Sequence, residues 1–165
     1  MTEHHPAEGP PAGVGAAAAQ VLLAGAELAN LFDRLLRREG GVNLTQYQVL
    51  SLLAAAEDPQ EPWQIAAALR LSSAHVTLVL DGLERGRLAA RGPHPRDRRR
   101  RLVTLTGAGA ERLAHLRAHV AALETRLLAA AFTAEEQATL HGMMRRLRGA
   151  MADLVVPDIR PQVGP

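Results

Sequence analysis

Two short helical patterns, separated by a very short turn, constrain the fold of this chain more than any other feature. The first covers residues 63–69, and the second opens at Ser72 and runs to about Arg85. In the second pattern one face is apolar and the other is polar or small; the apolar face consists of Val76, Val79, Leu80 and Leu83. Two short helices joined by a turn of three or four residues are typical of a helix-turn-helix.

A hairpin pattern follows directly. Residues 88–91 have the composition of a short strand, residues 92–97 contain turn-forming Gly and Pro, and residues 101–105 return with β-branched and apolar side chains. A hairpin directly after a helix-turn-helix predicts a wing. We therefore predict a winged helix-turn-helix over residues 44–105, with its wing over residues 88–105.

The winged segment begins with a predicted helix of its own. Thr45 and Gln48 have the spacing of a capping box, and Leu44 and Val49 can form the accompanying hydrophobic staple. The sequence predicts a helix from Thr45 to about Ala56, where a polar, Pro-containing loop begins.

Long amphipathic helices flank the winged segment. Apolar residues recur at helical spacing over residues 14–40 and 106–131, and a capping box at Thr133 predicts a last helix to about Leu154. These helices have more apolar surface than so small a domain can cover, so we expect them to dimerise two copies of the chain. The expected fold is mainly α with a small β-hairpin wing, flanked by dimerisation helices over 14–40 and 106–154.

The predicted domain covers residues 14–156 as a single unit. Residues 1–13 and 157–165 are rich in Pro and Gly, and we expect a disordered leader and a loose tail. The leader has two glutamates and no Lys or Arg, unlike a signal peptide. No apolar stretch is long enough to span a membrane. We expect a cytoplasmic protein without a membrane partner.

The basic residues are all of one type. The chain has 19 Lys plus Arg, every one of them arginine, and it has no cysteine. Lysine-based Schiff bases, P-loop lysines, thiol nucleophiles, disulfides and thiolate metal sites are thereby excluded. We also find no metalloprotease or nucleophile-elbow motif, so the sequence predicts neither an enzyme nor a cofactor.

The net charge of +2 hides an uneven distribution. Residues 85–101 contain eight arginines and one acid, Asp97, for a local charge of +7. The remainder of the chain therefore sums to 2 − 7 = −5. A concentrated basic patch on a predicted wing indicates a nucleic-acid partner.

The wing and the residues after it resemble the signature of the MarR family of winged helix-turn-helix transcription regulators. Asp97-x-Arg99 stands at the predicted tip, followed by an alternating strand and then Leu105-Thr106-x-x-Gly109. The likeness extends upstream as far as Ile65, and the order of helices agrees over residues 15–154. The resemblance implies a homodimer that binds a pseudo-palindromic site on double-stranded DNA. It also implies repression or activation, often relieved by a small ligand that is frequently phenolic or aromatic.

The resemblance assigns roles at the wing. It implies that Arg99 enters the minor groove, with Asp97 as its orienting carboxylate, and that Arg96, Arg98 and Arg100 contact phosphates. The physics agrees, because a narrow minor groove has a strongly negative potential that attracts arginine.

The helix that opens at Ser72 is the expected recognition helix. Ser72 and the free amides of the first turn can hold a phosphate, while Ser73, His75 and Thr77 can reach base edges. The chain departs from the family in two ways: it has Leu78 and Gly82 where basic residues are common, and Arg70 and Arg87 where Gly is common. Because no arginine lies between residues 71 and 84, we expect affinity to depend mainly on the wing.

Two alternatives accompany this interpretation. His115 and His119 lie four residues apart on a predicted helix, a spacing that can place two imidazoles on one zinc ion; Glu111, Glu124 and His141 are the nearest further ligands in sequence. A zinc-responsive regulator is therefore one alternative. A dimeric scaffold with weakened DNA binding is the other, because the recognition helix has so little charge. The sequence does not identify the effector.

Overall fold

The computed structural model describes residues 14–153, which form six α-helices and one β-hairpin. This confirms the predicted fold class and the order of elements. The predicted leader and tail lie outside the described residues. Within residues 14–153, no helix is both long and apolar enough to cross a membrane. The elements are α1 (Val14–Gly40), α2 (Leu44–Ala55), α3 (Pro62–Leu69), α4 (Ser73–Arg85), β1 (Ala89–His94), β2 (Asp97–Leu105), α5 (Gly107–Ala131) and α6 (Ala134–Asp153).

The described residues divide into two compact units, with the boundary after Val120. The first contains α1 to α4, the wing and the beginning of α5. Its core is built from aliphatic side chains of all these elements, including Leu36, Leu50, Ile65, Val76, Leu80, Leu83, Val103, Leu113 and Leu116. The second unit contains the remainder of α5 and α6.

Helix α2 begins earlier than the sequence pattern predicts. Asn43 is its N-cap: the Asn43 side chain accepts a hydrogen bond from the Gln46 N–H at 2.8 Å, and the Gln46 side chain accepts one from the Asn43 N–H at 2.9 Å. The predicted start at Thr45 is therefore wrong, because Asn43 and Gln46 form the capping box in place of Thr45 and Gln48. Asp33 of α1 accepts a further hydrogen bond from the Leu44 N–H at 2.8 Å.

The helix-turn-helix closely follows its prediction. Helix α3 begins one residue earlier than expected, with Pro62 in its first turn, where the missing N–H costs nothing. Ser72 caps α4 as predicted, since its hydroxyl oxygen accepts a hydrogen bond from the His75 N–H at 3.2 Å.

The wing has longer strands than predicted. Pairing runs from Ala89 opposite Leu105 to His94 opposite Asp97, so most of the predicted turn over 92–97 is strand. Pro93 is tolerated because β1 pairs with β2 along one edge only. The other edge of β1 needs no backbone N–H for strand pairing. On the other edge of β2, Val103 exchanges two backbone hydrogen bonds with Gln60, at 2.7 and 3.0 Å, which ties the wing to the chain just before α3.

Two arginines adopt left-handed backbone conformations at turns that flank α4. Arg70 has a φ of 53° and Arg87 a φ of 56°. This conformation costs an L-residue about 1–2 kcal/mol relative to the right-handed region. At these two positions the family that the sequence resembles commonly has Gly, the residue that adopts a left-handed conformation most easily. This chain keeps the left-handed turns with arginine in place of Gly.

Candidate nucleic-acid interface

The candidate interface consists of the outer face of α4 and the wing. One face of α4 is buried in the core, through Val76, Val79, Leu80 and Leu83. The opposite face is exposed over the first two turns; its residues are Ser73, Ala74, His75, Thr77 and Leu78. The structure therefore places the predicted base-reading residues on one accessible surface, as a recognition helix requires.

Two of the hydroxyl groups on α4 are already used within the helix. Ser72 caps the first turn, and the Thr77 hydroxyl donates a hydrogen bond to the Ser73 carbonyl at 3.0 Å. The Ser73 hydroxyl and the His75 imidazole make no such bond, so their full hydrogen-bonding capacity remains for base edges. The first two turns of α4 therefore offer few hydrogen bonds to DNA.

The wing tip is a tight turn held by local hydrogen bonds. The His94 Nδ1 accepts a hydrogen bond from the Arg96 N–H at 3.1 Å, and the Asp97 carboxylate accepts one from the Arg99 N–H at 2.9 Å. Among the described contacts, none joins this carboxylate to the Arg99 guanidinium, so Asp97 orients Arg99 through its backbone. The side chains of Arg96 and Arg99 are exposed, and the salt bridges of the described residues include neither.

Arg100 differs from these two arginines because it has an acidic partner. Its Nε donates to the Glu61 carboxylate at 2.5 Å, and its Nη2 donates to the other carboxylate oxygen. Arg100 holds the pKa of Glu61 below its usual range, and a hydrogen bond from Trp63 adds to this effect. The predicted phosphate contact is therefore neutralised in the free protein by a residue at the start of α3.

Arg91 connects the wing to the recognition helix. Its Nη1 donates to Asp81 at 2.5 Å and to Glu84 at 2.6 Å, and its backbone N–H donates to the second Glu84 oxygen at 2.9 Å. This contact is not among the sequence-based predictions. The signal for it is two acids three residues apart, which lie on the same side of α4, followed by an arginine on the next strand. The ion pairs fix the orientation of β1 relative to α4.

The basic patch is consequently smaller than the sequence suggests. Of the eight arginines in residues 85–101, Arg91 and Arg100 are paired with Asp81, Glu84 and Glu61, which lie outside that segment. Among the described residues, four exposed arginines of this segment belong to no salt bridge: Arg96 and Arg99 at the wing tip, and Arg85 and Arg87 at the end of α4 and just after it.

A separate cluster forms where α1 ends beside α5. The ligand atoms of Glu39, His115 and His119 all lie within 4.8 Å of one another, with the two imidazole rings edge to face at 4.6 Å. Arg38 donates to the Glu39 carboxylate at 2.6 Å and, together with the two histidines, lowers its pKa. The further ligands predicted from the sequence, Glu111, Glu124 and His141, do not belong to this cluster. Glu39 belongs to it instead, and its distance from the histidines in sequence kept it from being predicted.

Comparison with known proteins supports the winged motif. The sequence model of the MarR family matches residues 40–100, which span α2, the helix-turn-helix and most of the wing. No curated protein sequence matches the chain.

Solved structures of MarR regulators share the fold. Sco3205, a MarR-family transcriptional regulator from Streptomyces coelicolor solved in complex with DNA, has a TM-score of 0.77 and 21% identity, covering 90% of this chain and 92% of its own. The MepR–DNA complex from S. aureus has a TM-score of 0.71 and 22% identity, with 81% and 96% coverage. A mutant MarR from E. coli has a TM-score of 0.70 and 25% identity, with 85% and 98% coverage. The family resemblance found in the sequence is thereby confirmed.

Proposed function

We propose that the protein is a homodimeric transcription regulator, because residues 40–100 match the sequence model of the MarR family. It acts in the cytoplasm, without enzymatic activity, by binding a pseudo-palindromic operator on double-stranded DNA and repressing the adjacent gene. The observation that carries this proposal is the exposed surface formed by the outer face of α4 and the wing tip. Two structural neighbours, Sco3205 and MepR, were solved with DNA.

The binding mode follows from the shapes of the two elements. The wide major groove of B-DNA admits an α-helix, while the narrow minor groove attracts arginine. We propose that α4 enters the major groove, Arg99 enters the flanking minor groove, and Arg96 and Arg98 contact phosphates beside it. Two copies related by a twofold axis would place their recognition helices about one helical turn apart, ~34–36 Å.

Dimer formation is supported by apolar side chains that the single chain leaves exposed. On α1 these are Val21, Leu22, Leu23 and Leu28; in the second unit they are Leu127, Phe132, Met143, Leu147 and Met151. Exposed apolar surface on this scale marks an interaction site in soluble proteins. Sedimentation equilibrium would test this, and a monomer at micromolar concentration would contradict it.

DNA binding is tested with Arg99→Ala on a duplex from the promoter region of the protein's own gene. We expect affinity to fall by about tenfold or more, because each half-site loses a minor-groove contact with a typical worth of ~1–3 kcal/mol. Arg117→Ala is the matched control, since Arg117 is an exposed arginine on α5 outside the winged motif and its loss changes the net charge equally. If both variants bind like the wild type, the dimeric scaffold becomes the better interpretation.

Repression and its relief are the finer parts of the proposal. A reporter gene behind the bound promoter should be silenced by the protein, whereas stimulation would identify an activator. We further propose that a small aromatic or phenolic ligand releases the DNA. A thermal-shift screen of phenolic and aromatic acids, followed by a binding assay with the operator duplex, tests this step; the absence of any ligand that lowers affinity would remove it.

The cluster of Glu39, His115 and His119 supports a second candidate, a zinc-responsive regulator. Two imidazoles and one carboxylate are three ligands that zinc accepts, with a fourth position left for water. Zinc binding would replace the contact from Arg38 and would tie the end of α1 to α5. His115→Ala should abolish the binding of zinc measured by calorimetry, while His141→Ala, an exposed histidine on α6, should not. Operator affinity that does not change with zinc or a chelator at fixed ionic strength would exclude this candidate.

A further inference from the structure

Leu78 is a large apolar side chain on the outer face of the recognition helix. It is 69% exposed, whereas its neighbours Val76 and Val79 are 0% and 5% exposed. Ala74 lies one helical turn before Leu78 on the same exposed face. Leu78 is therefore not a core residue, and the contacts among residues 14–153 do not explain a leucine at this position.

The polar alternatives for reading a base sequence are scarce on α4. The side chains that recognise bases by paired hydrogen bonds are those of Arg, Lys, Asn and Gln, and residues 71–80 contain none of them. The hydroxyls of Ser72 and Thr77 are engaged within the helix. Asp81 and Glu84, in the following turn, are bound to Arg91. The exposed polar side chains around Leu78, Ser73 and His75, can make single hydrogen bonds only, and Leu78 is the largest apolar side chain on this face.

The major groove offers one apolar group that carries sequence information, the C5-methyl of thymine. We propose that Leu78, together with Ala74, contacts thymine methyl groups and is the main determinant of sequence specificity in this protein. The inference rests on the proposed DNA-binding function and specifies how that function distinguishes one site from another. Sites selected by the protein are therefore rich in thymine at the positions that face the second turn of α4.

The wing supplies the complementary, sequence-independent part of the interaction. Arg96 and Arg99 provide the attraction to the DNA backbone and minor groove, and Ala74 and Leu78 on the outer face of α4 provide the discrimination. In this arrangement, removal of Leu78 leaves general DNA binding intact and removes the preference for the operator.

The test uses the full-length protein and a duplex selected from a random pool, with each thymine replaced in turn by deoxyuridine, which lacks only the methyl group. Burial of one methyl group is worth ~0.8 kcal/mol, or about fourfold in affinity, and about 15-fold when both half-sites are changed. The wild type should lose this factor at one or two thymines per half-site. Leu78→Ala should bind the same duplex more weakly but show no sensitivity to deoxyuridine at those positions.

A second variant, Leu78→Arg, keeps the test informative if Leu78→Ala binds DNA too weakly to measure. It should retain or increase affinity for random DNA, and its selected site should change from thymine to guanine at the same positions, because arginine pairs with guanine edges. Both variants should melt at the wild-type temperature, because the side chain lies outside the core.

The possible outcomes separate the inference from the function on which it rests. Failure of the wild type to bind any duplex overturns the DNA-binding proposal itself. Specific binding that is insensitive to every deoxyuridine, or equally sensitive in Leu78→Ala, overturns the inference alone. Replacement of the operator cytosines by 5-methylcytosine should leave affinity unchanged. A gain in affinity that requires Leu78 would assign the contact to methylated cytosine, not to thymine, and would also overturn the inference. The inference is also overturned if Leu78 contacts a partner protein and not DNA.

Discussion

Neutralising Glu61 should make DNA binding more sensitive to salt. In the free protein the Glu61 carboxylate, whose side chain is 12% exposed, holds the guanidinium of Arg100 through two hydrogen bonds. A DNA phosphate competes with this carboxylate for Arg100, because the carboxylate already neutralises the guanidinium and occupies two of its donors. Arg100 is therefore expected to contribute little to the release of counterions, and Glu61→Gln should restore that contribution.

The magnitude follows from counterion release. Each phosphate contact on B-DNA changes the slope of log K against log salt by about −0.9, so one additional contact per subunit steepens the slope by about 1.8 in a dimer. Between 50 and 200 mM salt this corresponds to an extra loss of about 12-fold in affinity. Arg96→Gln should flatten the slope by the same amount, because Arg96 is exposed and belongs to none of the salt bridges among residues 14–153. Arg100→Gln should change it by much less.

The assay is a fluorescence-anisotropy titration of the operator duplex at four salt concentrations for the wild type and the three variants. A random duplex of the same length serves as the control, because the electrostatic contribution does not depend on sequence. If Arg100→Gln flattens the slope as much as Arg96→Gln does, Glu61 does not keep Arg100 from the DNA. A slope left unchanged by Glu61→Gln would lead to the same conclusion.

Three further changes test the fold. Gly109→Ala should destabilise the protein by about 3 kcal/mol in urea unfolding, because a Cβ there would lie 2.0 Å from the Leu88 carbonyl oxygen. The control is Gly107→Ala, whose Cβ would have nothing within 4 Å, and it should be neutral or stabilising. Arg87→Gly should raise the free energy of unfolding by about 1 kcal/mol, since it relieves a left-handed backbone at φ 56°, and an unchanged urea midpoint would contradict this. The pKa of Asp33 is lowered, chiefly by Arg37, so its contribution is present at neutral pH and is lost as the pH falls below about 4. Asp33→Asn should therefore lose less stability than the wild type between pH 7 and pH 3, and equal losses would show that Asp33 contributes nothing.

The fold could be predicted largely because its elements have local signatures. The apolar face of α4 repeats at helical spacing, and Ser72 caps it as the pattern indicates. Boundaries were less accurate where two local signals compete. Thr45 with Gln48 and Asn43 with Gln46 have the same capping-box spacing, and the structure uses the second pair. In the wing, Gly92 and Pro93 predict a turn, but strand pairing continues through both of them.

The sequence predicts which residues form the candidate site, but it does not predict which of their charges are paired with other residues. The tip arginines stand out in the sequence because they are consecutive, whereas the residue that neutralises Arg100 lies 39 positions earlier. Glu39 likewise joins two histidines more than seventy positions later. Periodicity and spacing describe contacts within one element or between neighbouring elements, so they cannot identify such partners. A count of arginines therefore overstates the charge available to DNA. The proposed recognition depends on the exposed guanidiniums of Arg96 and Arg99 and on the exposed side chains of Ala74 and Leu78.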